Sequence, residues 1–269
     1  MALELPRTLS PSKVASFKEC ALAFRFSAID QLPEPPAPAA TRGTLVHAAL
    51  ERLFTHPAPE RTLAAALEGL AAAAHEIRLD PEFTGLYLAP DDEATFFAEA
   101  EALVRRYFQL EDPTRVTPIG LELRLEANVA GVTLRGVIDR LELDADGELV
   151  VTDYKSGRAP RERFEQGRLD GVHFYASLCE QIFGRRPAKV QLLYLADPLA
   201  IICRPTPQSS RATERRLAAV WTAVERACLR EDFRPRPSRL CDYCAFKPYC
   251  PAFGGDPEEA RRTLAVTAA

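Results

Sequence analysis

The chain has 269 residues, of which 47% are hydrophobic and 27% charged, and its formal net charge is −4. This composition is typical of a globular protein large enough to bury a sizeable core, and it excludes disordered and collagen-like chains. No apolar run of about eighteen residues occurs, which excludes a membrane-spanning helix. Seven cysteines and no signal-peptide-like start predict a reducing, cytoplasmic setting, with free thiols or metal ligands rather than disulfides.

Charge is distributed unevenly along the chain. Residues 60–112 contain twelve acidic and four basic residues, whereas residues 204–239 contain nine basic and four acidic ones. Residues 155–168 carry a net charge of +3. The two basic segments could hold a phosphate backbone, with Arg158, Arg161 and the arginines of a helix over residues 211–230 as contacts, although solvated arginine-rich helix faces would look the same.

Two helices are predicted near the start of the chain. The first lies within residues 8–29, begins with a serine–proline cap and contains Cys20, which on its own reads as a small apolar filler. The second covers residues 42–54. Its His47 and Glu51 are four positions apart and share a face, and this spacing alone favours an ordinary surface pair.

An acidic, alanine-rich segment follows at residues 60–112. Its pattern predicts helices with a break near residues 81–90, where prolines occur. No residue combination in it indicates chemistry, so the segment is interpreted as a helical insert that covers one flank.

The centre of the chain, residues 121–157, predicts three strands joined by tight turns at residues 130–131 and 144–147. Glu122 opens the first strand; it could be an additional acidic group of a site, but an exposed strand residue is the favoured interpretation. Because side chains alternate along a strand, Asp153 and Lys155 share the face of the apolar residues that precede them. Polar side chains on such a face are cheaper at a strand end beside a cleft, and there they indicate a site.

A short hairpin can bring Asp139 close to Asp153 and Lys155. Two neighbouring carboxylates repel each other unless a cation lies between them, and a hard divalent ion with oxygen ligands fits this arrangement. The lysine could position a water or neutralise charge on a phosphate. The alternative is a surface salt bridge on an edge strand.

These residues form a pattern that is similar to a known family. Ile138-Asp139 followed by Val-Thr-Asp-Tyr-Lys-Ser-Gly at residues 151–157 resembles the core motif of the PD-(D/E)XK nucleases, and GVIDRLE with VVTDYKSG resembles the RecB/AddB-type branch. The resemblance implies an α/β fold with a restriction-endonuclease-like core: a central mixed β-sheet flanked by helices. It also implies Mg²⁺ or Mn²⁺ as cofactor.

The resemblance extends to individual residues. The implied metal ligands are His47, Asp139, Asp153 and the backbone carbonyl of Tyr154, with Asp139, Asp153 and Lys155 as catalytic residues and Glu51 in support. A helix is predicted over residues 169–183, and its Tyr175 matches a supporting tyrosine of the family. Four positions earlier the family has a glutamine, whereas this chain has Gly171.

Three further cysteines, Cys241, Cys244 and Cys250, stand in a loop-rich segment at regular spacing, which predicts a metal centre. Spacing alone leaves zinc and an iron–sulfur cluster equally open. The resemblance implies a 4Fe-4S cluster with Cys20 as its fourth ligand, forming a clasp between the two ends of the chain. The remaining sequence predicts strands near residues 189–196 and 201–204, and a poorly ordered tail after residue 255.

The sequence as a whole is therefore interpreted as a single nuclease domain over residues 1–269. Its parts are the N-terminal helices (8–55), the insert (60–112), the nuclease core (119–204) and the C-terminal helix with the cysteines (207–253). The predicted function is metal-dependent hydrolysis of DNA phosphodiester bonds, as an exonuclease in repair or recombination. The predicted partners are DNA that is single-stranded or has single-stranded ends, and a helicase. A catalytically impaired DNA-binding module and an iron–sulfur redox sensor are the alternatives.

Overall fold

A computed structural model describes residues 3–160 and 165–267 and shows an α/β protein. The chain divides into two compact units. The first unit comprises the chain up to Pro35, the segment Asn128–Arg135 and the chain from Glu214 onward. The second comprises Pro36–Ala127 and Gly136–Thr213. Within the described residues, no helix is both long and apolar enough to cross a membrane.

Nine α-helices and five strands are described. The helices are α1 (Pro11–Glu19), α2 (Ala21–Phe24), α3 (Pro38–Thr55), α4 (Leu63–Ile77), α5 (Pro81–Thr84), α6 (Pro90–Tyr107), α7 (Glu165–Phe183), α8 (Pro207–Arg230) and α9 (Pro257–Thr267). The strands are β1 (Thr117–Val129), β2 (Val132–Leu143), β3 (Leu149–Lys155), β4 (Lys189–Tyr194) and β5 (Leu199–Cys203).

The strands form one mixed sheet in the order β1-β2-β3-β4-β5. Strand β3 pairs antiparallel with β2 and parallel with β4, and β4 pairs antiparallel with β5. The predicted central mixed sheet is therefore confirmed. In the β2–β3 hairpin Arg140 pairs with Thr152, which brings the preceding Asp139 and the following Asp153 to the same end of the hairpin.

The second unit contains a core between its helices and the sheet. The buried residues of α3, α4 and α6 pack together and against Tyr154, Leu193 and Leu195 of the sheet region. The apolar positions of α3 recur at helical spacing, so this helix is fixed with one face toward the core. The predicted insert is helical, and its break near the prolines contains the short helix α5.

The first unit differs from the sequence-based expectation in two places. A single helix over residues 8–29 is wrong, because Cys20 adopts an extended conformation (φ −157°, ψ 109°) between α1 and α2. The predicted start is confirmed, since the Ser10 hydroxyl accepts a hydrogen bond from the Lys13 N–H. A poorly ordered tail is also wrong: α9 forms there, and its Glu258 lies 3.0 Å from Arg25.

Candidate active site and cysteine-lined cavity

The β2–β3 hairpin buries two carboxylates at one end. The side chains of Asp139 and Asp153 are only 9% and 5% exposed. Asp139 Oδ2 accepts a hydrogen bond of 2.6 Å from the N–H of Tyr154. Lys155 Nζ lies 2.5 Å from Asp153 Oδ2. Since β3 has a neighbouring strand on each side and Asp153 is buried, this pair is not a surface salt bridge on an edge strand.

Helix α3 brings His47 to the same place. Its Nε2 lies 3.1 Å from the carbonyl oxygen of Tyr154, and its Nδ1 lies 3.5 Å from Asp139 Oδ1. One turn earlier, a Cβ at Gly43 would lie 3.0 Å from the Ser156 hydroxyl, so a glycine permits the close approach of helix and strand end. His47 therefore faces the carboxylates rather than forming an ordinary surface pair.

Glu122 also reaches this group, although the sequence favoured an exposed strand residue. It lies in β1 with a positive φ of 43°, and its side chain is 35% exposed. Its Oε1 is 3.9 Å from His47 Nδ1. Ligand atoms of His47, Glu122 and Asp139 all lie within 4.8 Å of one another, and no other such group of three occurs among the side chains that the structure describes, in residues 3–160 and 171–262.

The group is crowded with negative charge. Burial and the charge of Asp139 raise the pKa of Glu122 to about 7, and the same two causes raise the pKa of Asp153. Burial alone would lower the pKa of His47, but its hydrogen bond to Asp139 and the surrounding carboxylates raise it overall. Carboxylates that repel each other in this way, with one imidazole nitrogen beside them, fit a divalent cation.

Two residues of α7 bear on the site. Burial raises the pKa of the Tyr175 hydroxyl, and the charges of Asp153 and Asp139 raise it further, so Tyr175 lies beside the carboxylates. A Cβ at Gly136 would lie 3.0 Å from the Tyr175 ring, which explains a glycine in the middle of β2. A Cβ at Gly171 would have no atom within 4 Å, so this position opens onto free space.

Three further residues were predicted to support the site or to contact the DNA backbone. Glu51 is near enough to Glu122 for its charge to help raise the Glu122 pKa, after burial and the charge of Asp139. Arg158 is exposed just after β3. Arg161 lies outside the described residues.

The first unit contains a cavity of about 120 Å³ lined by Cys20, Cys241, Cys244 and Cys250. Backbone N–H groups point at the sulfur atoms: that of Arg236 lies 3.5 Å from Cys20 Sγ, and that of Ser238 lies 3.3 Å from Cys241 Sγ. Such donors stabilise thiolates. The four cysteines predicted as ligands are therefore brought together, and their surroundings suit a metal group.

The spacing of these sulfur atoms bears on which group would fit. A tetrahedral zinc with Zn–S bonds of about 2.3 Å needs its sulfurs roughly 3.8 Å apart. No three of these four described thiols have their sulfur atoms within 4.8 Å of one another. The cavity is also several times larger than the roughly 10–15 Å³ that one water molecule needs by the same measure. A cluster of several atoms fits these dimensions better than one ion.

Comparisons with known proteins agree with this geometry. A family model described as the PD-(D/E)XK nuclease superfamily matches residues 8–251. The Gene 69 protein of Mycobacterium phage D29 is 24% identical over 269 residues, covering 91% of this chain and 96% of the relative. The Gene 69 protein of Mycobacterium phage L5 is 28% identical over 136 residues, covering 49% of this chain and 44% of the relative.

One solved structure resembles the fold over most of its length. It is a protein from Eubacterium rectale named "Putative exonuclease", with a TM-score of 0.56 and 13% sequence identity. The match covers 89% of this chain and 87% of that one. At this identity the likeness supports the shared fold.

Proposed function

Because the chain belongs to the PD-(D/E)XK nuclease superfamily, we propose that it is a metal-dependent deoxyribonuclease whose active site is the group around Asp139 and Asp153. The observation that carries the proposal is the meeting of His47, Glu122 and Asp139 within 4.8 Å, beside the buried Asp153–Lys155 pair. The relevant cofactor would be Mg²⁺ or Mn²⁺, held by His47, Asp139, Asp153 and the Tyr154 carbonyl, with Glu122 added to the predicted set.

A divalent ion bound there would lower the pKa of a water and offset the negative charge that develops on the phosphate. The residues of the chain would do the rest. The Tyr154 peptide would hold two of the ligands in place: its N–H donates to Asp139, and its carbonyl oxygen lies 3.1 Å from His47 Nε2. The Lys155 ammonium group, fixed by Asp153, would orient the attacking water or a phosphate oxygen. The phosphodiester bond then breaks as the water oxygen bonds to phosphorus, and the leaving oxygen takes up a proton.

The finer parts of the proposal rest on the sequence resemblance. They are exonuclease action, DNA that is single-stranded or has single-stranded ends, a helicase partner, and a role in repair or recombination. Arg158 is exposed where it could contact a phosphate, and Arg161 is proposed with it from the sequence alone. We also propose a reducing, cytoplasmic setting, supported by seven cysteines none of which forms a disulfide.

We further propose that Cys20, Cys241, Cys244 and Cys250 hold a 4Fe-4S cluster. The N–H groups directed at two of the sulfurs support a thiolate-bound metal group, and the spacing of the sulfurs with the sequence resemblance supports a cluster over zinc. Its role would be structural, as a clasp within the first unit.

The direct test is cleavage of end-labelled single- and double-stranded DNA by protein purified without air, in Mg²⁺, Mn²⁺ or chelator. We expect metal-dependent cutting, with a product ladder that gives the polarity. Lys155→Ala and Asp139→Asn should abolish it. The matched controls are Lys189→Ala and Asp197→Asn, which change a lysine of β4 and an exposed aspartate in the turn between β4 and β5. Cutting by Lys155→Ala at the wild-type rate would contradict the assignment.

A DNA-binding module with impaired catalysis is the second candidate, and it is motivated by Gly171, which stands where the resembled family has a glutamine. In that case the folded protein would bind DNA in chelator and leave it intact in Mg²⁺ and in Mn²⁺. Metal-dependent cutting would exclude this candidate.

A further inference from the structure

Arg140 has the largest fully buried side chain among the described residues, with 0% of it exposed. It follows Asp139 in β2, so alternation places the two side chains on opposite faces of the sheet. Asp139 faces the candidate metal site, and Arg140 lies behind it with Thr152 and Tyr154. A guanidinium group has five N–H donors and is costly to bury unless they are satisfied.

The surroundings of Arg140 satisfy these donors. Both Nη atoms reach the Glu111 carboxylate, one of them at 2.9 Å, and Nε donates to Glu142. The Tyr154 hydroxyl accepts at 2.7 Å and Thr152 Oγ1 at 3.2 Å. The guanidinium carbon also lies 4.4 Å from the centre of the Phe54 ring. Arg140 is therefore held in a single orientation by partners on several elements.

Tyr154 connects this buried network to the metal site. Its hydroxyl accepts from Arg140, its N–H donates to Asp139 Oδ2, and its carbonyl oxygen lies 3.1 Å from His47 Nε2. A rotation of the Tyr154 peptide would displace both of these ligands as well as its own carbonyl. We propose that Arg140 is a positioning residue for the metal site and acts through Tyr154. This inference rests on the proposed function.

Stability alone does not account for the network. Replacing a buried arginine with two carboxylates by apolar residues of similar volume is often neutral or even stabilising. Fixing the orientation of Tyr154, in contrast, requires a donor at the position of its hydroxyl. Partners that orient metal ligands in this way typically change metal affinity by about 10–100-fold when they are removed.

The helical insert takes part in the same arrangement. Glu111 follows α6, and its Oε1 accepts a hydrogen bond of 2.6 Å from the Tyr107 hydroxyl at the end of that helix. The insert, to which the sequence assigned no chemistry, thus supplies the carboxylate that holds Arg140. In this proposal the insert helps to fix the metal ligands from the opposite face of the sheet.

The test measures Mn²⁺ affinity without DNA, from the electron paramagnetic resonance signal of free Mn²⁺. Tyr154→Phe removes only the hydroxyl that Arg140 contacts and should weaken Mn²⁺ binding several-fold. The triple variant Arg140→Met, Glu111→Leu, Glu142→Leu leaves no unpaired charge in the network. It should bind Mn²⁺ about 10–100-fold more weakly while remaining folded. If it fails to fold, Tyr154→Phe decides.

Arg61→Met is the matched control. Arg61 is also a buried arginine near the Phe54 ring, but it donates to the main-chain carbonyls of His56, Pro113 and Val116. Its loss should lower the Tm and leave the Mn²⁺ affinity unchanged. Wild-type affinity in Tyr154→Phe and in the folded triple variant, or an equal loss of affinity in Arg61→Met, would overturn the inference. A wild-type protein that binds no Mn²⁺ would overturn the proposed active site, and this inference with it.

Discussion

The two units contain groups of ligands that differ in kind. In the second unit, carboxylates lie close together, and burial with the charge of Asp139 raises the pKa of Glu122 and of Asp153. In the first unit, four half-exposed sulfur atoms line a cavity, and backbone N–H groups are directed at two of them. Carboxylates suit hard cations such as Mg²⁺ and Mn²⁺, whereas thiolates suit softer metals.

Both groups carry a charge cost that a bound metal would offset. Crowded carboxylates repel each other, so the acidic group opposes folding until a cation or a proton offsets the charge. In the cysteine group, burial and the charges of Cys20, Cys241 and Cys250 raise the pKa of the Cys244 thiol. The proposal separates the groups by use: an exchangeable ion for chemistry at the acidic group, and a structural metal group at the cysteines.

The largest expected effect is on the acidic group. Asp153→Asn should reduce the cleavage rate by roughly 10³-fold or more, because the Asp153 carboxylate is a proposed metal ligand and fixes the Lys155 ammonium group. The same change removes a carboxylate that the charge of Asp139 opposes, so the Tm in chelator should stay the same or rise. Cleavage rates and thermal melts measure both. A fall in Tm of many degrees would mean that Asp153 serves mainly as a structural ion-pair partner of Lys155.

The cysteine group should respond in the opposite way. Cys20→Ser should remove the visible absorption of the anaerobic protein and lower its Tm by at least about 10 °C, because a structural metal group contributes directly to folding. The Mn²⁺ affinity of the protein that remains folded should not change. Cys203→Ser, on edge strand β5, is the control and should keep the absorption. Zinc in place of iron in the purified protein would correct the proposed cluster.

The pH dependence separates the groups further. Folding raises the pKa of Glu122 from about 4.5 to about 7, so the folded state binds the proton more tightly than the unfolded state. Stability from this residue is therefore present below the unfolded pKa and is lost as the pH rises through about 7. His47 and Asp153, whose pKa values are also raised, act in the same direction.

In chelator, the Tm should thus fall by a few degrees between pH 5 and pH 8, after allowance for solvent screening of the half-exposed Glu122. Added Mn²⁺ should restore more of the Tm at pH 8 than at pH 5. Glu122→Gln should flatten the slope in chelator. An unchanged slope in that variant would show that other groups control the titration.

The smallest effect is expected at Gly171. Gly171→Gln should raise the Tm slightly, since glutamine is favoured over glycine inside a helix by about 0.5 kcal/mol and its Cβ meets open space. If that space faces the substrate, the cleavage rate should rise several-fold. Gly171→Ala tests the helix effect without the amide. Equal cleavage by both variants would remove Gly171 as a reason for impaired catalysis.

The sequence predicted much of the core for identifiable reasons. Alternation along β3 placed Asp153 and Lys155 on one face, and a short hairpin brought Asp139 to them. These are local relations that strand geometry fixes. The structure brings the four cysteines around one cavity, as the resemblance implied. Spacing alone could not reveal this, because their meeting depends on contacts between distant parts of the chain.

Other features depend on information that residue patterns do not contain. An exposed strand residue was the favoured interpretation of Glu122, and nothing in the residue pattern indicates the positive φ that the residue adopts in β1. Arg140 gave no signal because a buried arginine is recognised only by its partners, and its hydrogen-bond partners lie up to 33 positions away. The end of the chain looked unstructured, yet Arg25 and Asp30 pair with residues of α9 from more than 200 positions away.

The backbone at Glu122 also has a consequence for how the sequence can drift. A glutamate in the left-handed region costs roughly 1 kcal/mol or more, and glycine would relieve that strain. Glu122→Gly should therefore stabilise the folded state, and it would also remove a carboxylate from the acidic group. In a library passed through repeated rounds of selection for solubility alone, glycine should accumulate at this position, and selection for cleavage should remove it.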